Sequence, residues 1–193
     1  MSELVKITVE EFTQIYRDYM EEDFPKDELK PLERMTEMMQ KGLCIATKLM
    51  QENQMRAYAI FIIPPKGAYM LLDYFAVKKE YRGTGVGHSF FEALTVFVKN
   101  EYPRIQGMLI ESERIEEDKA DVETRKRRIA FYRDCGCQMT QVESNLFGVD
   151  YSVLHFPFMA GAEAGEKELD FIYQTMFEKN HYENDVRVWH VEK

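Results

Sequence analysis

The chain has no long apolar run, only three cysteines, a single tryptophan and a deficit of basic side chains, and each shortage removes a class of function. No uninterrupted apolar segment approaches the roughly 20 residues that a helix needs to cross a bilayer. The opening stretch, Met1 to Phe12, places acids where a secretory signal needs a basic segment followed by an apolar one. The expectation is a cytoplasmic protein that does not use a membrane. With 25 Lys and Arg against 34 Asp and Glu the net charge is −9, and a surface of that sign repels a phosphate backbone. Nucleic acid is therefore a poor partner, whereas a local basic patch remains compatible with a phosphorylated ligand. Cys44, Cys135 and Cys137 are odd in number and lack Cys-x-x-Cys spacing, so free thiols in a reducing compartment are the simpler reading. Cys135 and Cys137 flank Gly136 and read as small buried side chains rather than a redox pair. His88, His155, His181 and His190 are scattered, and no metal site is implied.

What the chain does have is enough apolar material for one core: 193 residues, 45% hydrophobic and 13% aromatic. Leu4 to Val9 reads as a strand, and Phe12, Ile15, Tyr16 and Met20 follow at helical spacing until Phe24-Pro25 stops them. A second helix is expected after Pro31, with Leu32, Met35, Met38 and Met39 on one face. Leu43 to Met50, Met55 to Ile63 and Tyr69 to Val77 then read as a three-strand antiparallel meander. Val86 to Val98 is helical in period and Gly107 to Ser112 is a strand, which together suggest a parallel crossover. An acid-rich loop, Glu113 to Glu123, leads to a helix from about Arg125 to Gly136, and Gln138 to Phe147 with Asp150 to Phe158 form a hairpin. The last helix, Glu166 to Lys179, carries Leu169, Ile172, Tyr173, Met176 and Phe177 as one stripe, either core or a subunit contact that would make a homodimer. A tail with Trp189 ends the chain. The organisation expected is one domain over 1–160, with 161–193 packed on it or on a partner subunit.

The chemistry concentrates where the third meander strand runs into Arg82-Gly-Thr-Gly-Val-Gly87 and then directly into a helix. Backbone N–H groups of such a turn and of the first helical turn converge on one point, and the helix dipole favours an anion there. Gly83, Gly85 and Gly87 allow close approach, with Thr84, Val86 and His88 supplying further main-chain donors. There is no Gly-Lys-Ser/Thr ending, and the glycine spacing is not Gly-x-Gly-x-x-Gly, which excludes the two common nucleotide loops. The remaining pattern, Arg82-x-x-Gly85-x-Gly87 after Ala76-Val77, resembles the coenzyme A pyrophosphate loop of the GNAT superfamily of N-acetyltransferases. Arg128 to Gly136 resembles the helix that ends that family's acceptor-side motif, and Pro31 to Arg34 with Val149 to Tyr151 resemble a bacterial branch of no assigned acceptor.

The resemblance covers about residues 4 to 158 and implies a mixed, mostly antiparallel α/β sheet flanked by helices. It also implies acetyl-CoA as co-substrate and an amine as acceptor, joined by direct attack in a ternary complex. Arg82 through His88 would hold the coenzyme, and a main-chain N–H near Phe75, Ala76 or Val77 would hold the oxyanion. Tyr132 would give a proton to the leaving thiolate. Glu111 resembles the base of some protein N-terminal acetyltransferases, with Asp73 second; the alternative for Glu111 is an ion pair with one of Arg125 to Arg128. The family's Asn between the fifth strand and the acceptor-side helix is missing, and Asn145 lies too late to replace it. The acidic loop in that interval has two readings: a solvated loop that carries its own counterions, or a lid or acceptor wall that would favour a cationic amine. A non-catalytic acyl-CoA-binding module is compatible with the same residues.

Overall fold

The computed structural model describes residues 2–26 and 28–191; Met1, Asp27, Glu192 and Lys193 lie outside the described residues. In chain order the elements are β1 (Ser2–Lys6), α1 (Val9–Ile15), a π-helical turn (Tyr16–Met20), α2 (Glu21–Asp23) and α3 (Leu32–Gln40). The meander follows as β2 (Cys44–Gln51), β3 (Gln54–Ile62) and β4 (Tyr69–Val77). After it come α4 (Val86–Glu101), β5 (Gly107–Glu113), α5 (Val122–Asp134), β6 (Gln138–Leu146) and β7 (Val149–Pro157). The chain ends in α6 (Glu166–Met176), α7 (Lys179–Asp185) and β8 (Val186–His190).

Among the described residues these strands form one eight-stranded sheet in the order β1-β2-β3-β4-β5-β7-β6-β8. Every neighbouring pair is antiparallel except β4 with β5, which are joined by the α4 crossover. The mixed α/β class read from the sequence is therefore the class observed. Period-2 alternation sorts side chains onto the two faces. One face packs Phe12, Met35, Tyr58, Leu109, Ile172 and others under α1, α3 and α6. The other packs Phe61, Phe90, Leu94, Ile110 and Tyr132 under α4 and α5.

Several boundaries differ from the sequence reading for local reasons. β1 ends at Lys6 rather than Val9 because Thr8 caps α1: its hydroxyl accepts the Glu11 N–H at 3.2 Å, and the Glu11 carboxylate accepts the Thr8 N–H at 3.0 Å. Helix α5 starts at Val122, ahead of Arg125, where the Asp121–Arg125 pair spans one helical turn at 2.9 Å. The tail is not irregular. It forms α7 and then β8, which pairs with β6 from Val142–His190 to Leu146–Val186. The stripe of α6 is core: Leu169, Ile172, Tyr173 and Met176 are buried, each contributing about 1.5–3 kcal/mol. Cys44 and Cys137 are buried free thiols, and burial pushes Cys135 up to about 11 and Cys137 up to about 12, so neither of this pair forms thiolate readily.

Candidate active site

The site begins where the parallel pair β4–β5, the only one among the described residues, comes apart. β4 and β5 pair from Tyr69–Gly107 to Leu72–Ile110. Beyond that point β5 stays with β7 as far as Glu113–Tyr151, whereas β4 stays with β3. Asp73 marks the divergence: Leu72 faces Phe61 and Tyr74 faces Ile60, so Asp73 is an extra residue in a β-bulge. A bulge bends its strand and re-aims the side chains around it. A cavity of about 650 Å³ fills the wedge.

Main-chain donors face into that wedge. The Lys78 N–H donates to the Arg56 carbonyl, so by alternation Ala76 also faces β3, and the N–H groups of Phe75 and Val77 point the other way. Two of the three sequence-predicted oxyanion donors are thus on the open side, and Ala76 is not.

The glycine turn lies at the end of β4. Gly83 and Gly85 have φ of 75° and 86°, a left-handed backbone that glycine alone adopts without strain. No side chain caps α4, so the N–H groups of its first turn, at Val86, Gly87 and His88, have no intrahelical acceptor and concentrate positive potential. Gly87 is required for another reason: a Cβ there would lie 3.1 Å from the Phe131 ring, so its absence lets α4 approach α5. Thr84 closes the turn by donating from its hydroxyl to the Tyr81 carbonyl at 2.6 Å. Arg82 reaches backwards: Nε donates to the Val77 carbonyl at 2.8 Å and the guanidinium pairs with Asp23 at 2.8 Å. It clamps the turn to α2.

Glu111 and Tyr132 approach the wedge from opposite faces. Oε1 of Glu111 accepts from the Tyr173 hydroxyl and, at 3.0 Å, from Ser144 Oγ; the Tyr173 and Ser144 hydroxyls are 2.9 Å apart. Oε2 accepts no hydrogen bond among the described residues, and Glu111 lines the cavity. Burial pushes the carboxyl up to about 7, against the opposing pull of the Tyr173 hydrogen bond and the Lys30 charge. Asp73, with 3% of its side chain exposed, is paired through Oδ1 with Lys30 at 2.7 Å, and its Oδ2 is buried without a partner. Burial works against the Lys30 charge, but Asp73, Tyr74 and Glu111 outweigh it and raise the lysine pKa. Tyr132 packs against Phe75, Phe91 and Phe131. Its hydroxyl has no hydrogen-bond partner among the described residues, and burial pushes the phenol up, with Arg128 opposing.

Arg125 and Arg128 do not pair with Glu111. Both hold Glu113, two positions along β5, at 2.8 and 2.7 Å. The acidic loop is not an acceptor wall, because its charges are taken up locally. Glu116 pairs with Arg114 and Lys119, and Glu117 and Glu123 pair with Lys126. Glu116, Glu117 and Asp118 do not line the cavity. Asn145 lies in the hairpin, where Nδ2 donates to Asp150 and Oδ1 accepts from the Gly148 N–H. Sequence reading missed Tyr173, Ser144 and Lys30. The only signal for Tyr173 was a phenol inside an otherwise apolar stripe, since a buried tyrosine hydroxyl requires a partner.

Residues 9–137 match the model of the acetyltransferase (GNAT) family. The chain belongs to the GNAT acetyltransferase family. Several GNAT-fold structures resemble it. A putative GNAT-family acetyltransferase from Bacteroides thetaiotaomicron superposes with a TM-score of 0.67 at 20% identity, covering 93% of this chain and 98% of that one. The ribosomal-protein-S18-alanine N-acetyltransferase of Escherichia coli gives 0.58 at 17%, covering 85% and 99%. A dodecameric spermidine N-acetyltransferase of Vibrio cholerae gives 0.60 at 9%, covering 84% and 98%. Identities this low show the shared GNAT fold alone, and no curated protein matches the chain by sequence. The family match ends at residue 137, so Ser144, Tyr173 and the whole C-terminal wall of the cavity lie beyond it.

Proposed function

We propose that the protein transfers an acetyl group from acetyl-CoA to an amine within a ternary complex. The observation that carries this reading is the wedge itself. One cavity has a main-chain donor edge (Phe75, Val77), a phenol with no partner among the described residues (Tyr132) and a carboxylate oxygen free to accept (Glu111 Oε2), and its lining includes Arg82, from which the glycine turn leads to the uncapped start of α4. The diphosphate of acetyl-CoA suits the first-turn N–H groups of α4, and the thioester then reaches between β4 and β5. Glu111 takes a proton from the incoming ammonium, and the neutral amine attacks the carbonyl carbon. The oxyanion is held by the N–H groups of Phe75 and Val77. As the C–S bond breaks, Tyr132 gives its proton to the sulfur, the attacking nitrogen, cationic after addition, loses its second proton to solvent, and solvent then reprotonates Tyr132 and takes the first proton from Glu111.

Calorimetric titration with acetyl-CoA, followed by an amine screen that reads free thiol, tests the proposal. Gly85→Asp puts a carboxylate beside the anion site at a backbone angle that Asp tolerates better than most residues, and it should abolish binding. Binding by the wild type without transfer to any amine would leave an acyl-CoA-binding module. No binding by folded wild type would remove the donor altogether.

A further inference from the structure

The acceptor end of the cavity is walled by rings, and one of them occupies a strained position. Phe147 and Gly148 form the tight turn between β6 and β7 with φ of 51° and 90°. Both turn positions therefore have positive φ, where Asn-Gly is the favoured pair and a bulky side chain is an outlier. Phe147 is nonetheless there, 50% exposed and lining the cavity. It packs edge-on to Phe177 at 5.4 Å and against the His181 ring at 5.7 Å. A second edge-on pair, Phe24 and Tyr74, at 4.9 Å, lines the same cavity. Strain of this kind persists where the side chain has a task that the favoured residue cannot perform.

Most charged groups lining the same space are already neutralised. Lys30 holds Asp73, Arg82 holds Asp23, Arg34 donates to Glu37 and to the Met176 carbonyl, and His181 contacts Asp185. What an acceptor meets is two ring pairs, Leu29, Leu146 and Met176, with Oε2 of Glu111 beside the bulge. The β5 edge that faces β7 is paired as far as Glu113–Tyr151, and β6 is paired with β7, whereas the β5 edge that faces β4 is paired only to Ile110 and opens into the wedge.

We infer that the acceptor is a small primary amine carrying an aromatic ring, an arylalkylamine, whose ring lies between Phe147–Phe177 and Phe24–Tyr74 while its nitrogen reaches Glu111. This rests on the transfer reaction proposed above. The decisive variant is Phe147→Asn, which removes the ring and places a favoured residue in the turn, so the fold does not suffer. With saturating acetyl-CoA and thiol release as readout, phenethylamine should show a lower KM than n-butylamine, spermidine or a tetrapeptide. Phe147→Asn should raise the phenethylamine KM about tenfold more than it raises the n-butylamine KM, with the melting temperature measured beside it to show that the variant is folded. Preference for spermidine or the peptide overturns the acceptor class and leaves acetyl transfer standing. A phenethylamine KM that rises in Phe147→Asn no more than the n-butylamine KM also overturns it. No turnover of any amine overturns both.

Discussion

The hydroxyl of Tyr173, on α6, donates to Oε1 of Glu111, on β5, across a sequence separation of 62 residues. That contact ties the C-terminal helix, outside the family match, to the carboxylate at the centre of the wedge. It holds one carboxylate oxygen and leaves the other for the acceptor. A hydrogen bond to the charged form stabilises it, so Tyr173 keeps the Glu111 carboxyl lower than burial alone would. Tyr173→Phe should therefore raise the carboxyl above about 7 and move the acid limb of the kcat–pH profile upward. Turnover near pH 9 should be nearly intact and turnover at pH 7 reduced. A profile that keeps its acid limb would show that Glu111 does not take the proton.

Glu111 itself should be a site where function opposes stability. Its folded pKa of about 7 lies above the ordinary 4.5, so the native state binds this proton more tightly than the unfolded chain does. Stability linked to the group is complete below about pH 4.5 and is lost as pH rises through 7. Glu111→Gln keeps an acceptor for Tyr173 and Ser144 and removes the buried charge. At pH 8 the variant should be about 2 kcal/mol more stable, with the gain vanishing by pH 4.5, while acetyl transfer falls by about 10²–10⁴. Denaturation at both pH values beside a thiol-release assay checks it. Equal stability at pH 8 would place the carboxylate in water.

Lys30 and Asp73 form the buried pair at the bulge. Lys30→Met leaves the Asp73 carboxylate uncompensated and should cost about 3 kcal/mol, whereas Lys30→Met with Asp73→Asn should recover most of it. Urea unfolding of the two variants separates the outcomes. Equal losses in both would mean that the lysine stem, not the charge pair, holds the loop.

How much of this was readable in advance follows from the range of each signal. The turn from Arg82 to Gly87 was legible because everything it needs is local: a strand, glycines at fixed offsets, and a helix opening at Val86. The meander and the α4 crossover were legible through their periods. β8 was not, because Val186 to His190 is short and its reason for being a strand is the free edge of β6. The acidic loop stayed open between two readings because composition gives the sign of a charge and not its partner; Lys126 and Arg114 supply the partners, as the solvated reading expects. Ser144 and Lys30 have no local signature at all, and Tyr173 has only a phenol inside an apolar stripe. Their roles exist only once α6, β6 and the loop before α3 converge on β4 and β5.

Where β4 and β5 are still paired, Gly107 permits a contact that no other residue would. A Cβ at that position would lie 2.2 Å from His155 Nε2 and 2.8 Å from the Tyr69 ring, and both rings are buried. Burial lowers the His155 pKa, with the Glu168 charge opposing. Gly107→Ala should therefore destabilise the protein by about 1–3 kcal/mol through overpacking. Because Gly107 pairs with Tyr69 at the closed end of the wedge, the strain should also spread the strands and weaken acetyl-CoA binding. His155→Ala in the same chain vacates the nearest atoms and should restore part of both losses. If thermal denaturation shows the single variant as stable as wild type, the ring of His155 has room to move, and the base of the wedge is softer than this packing implies.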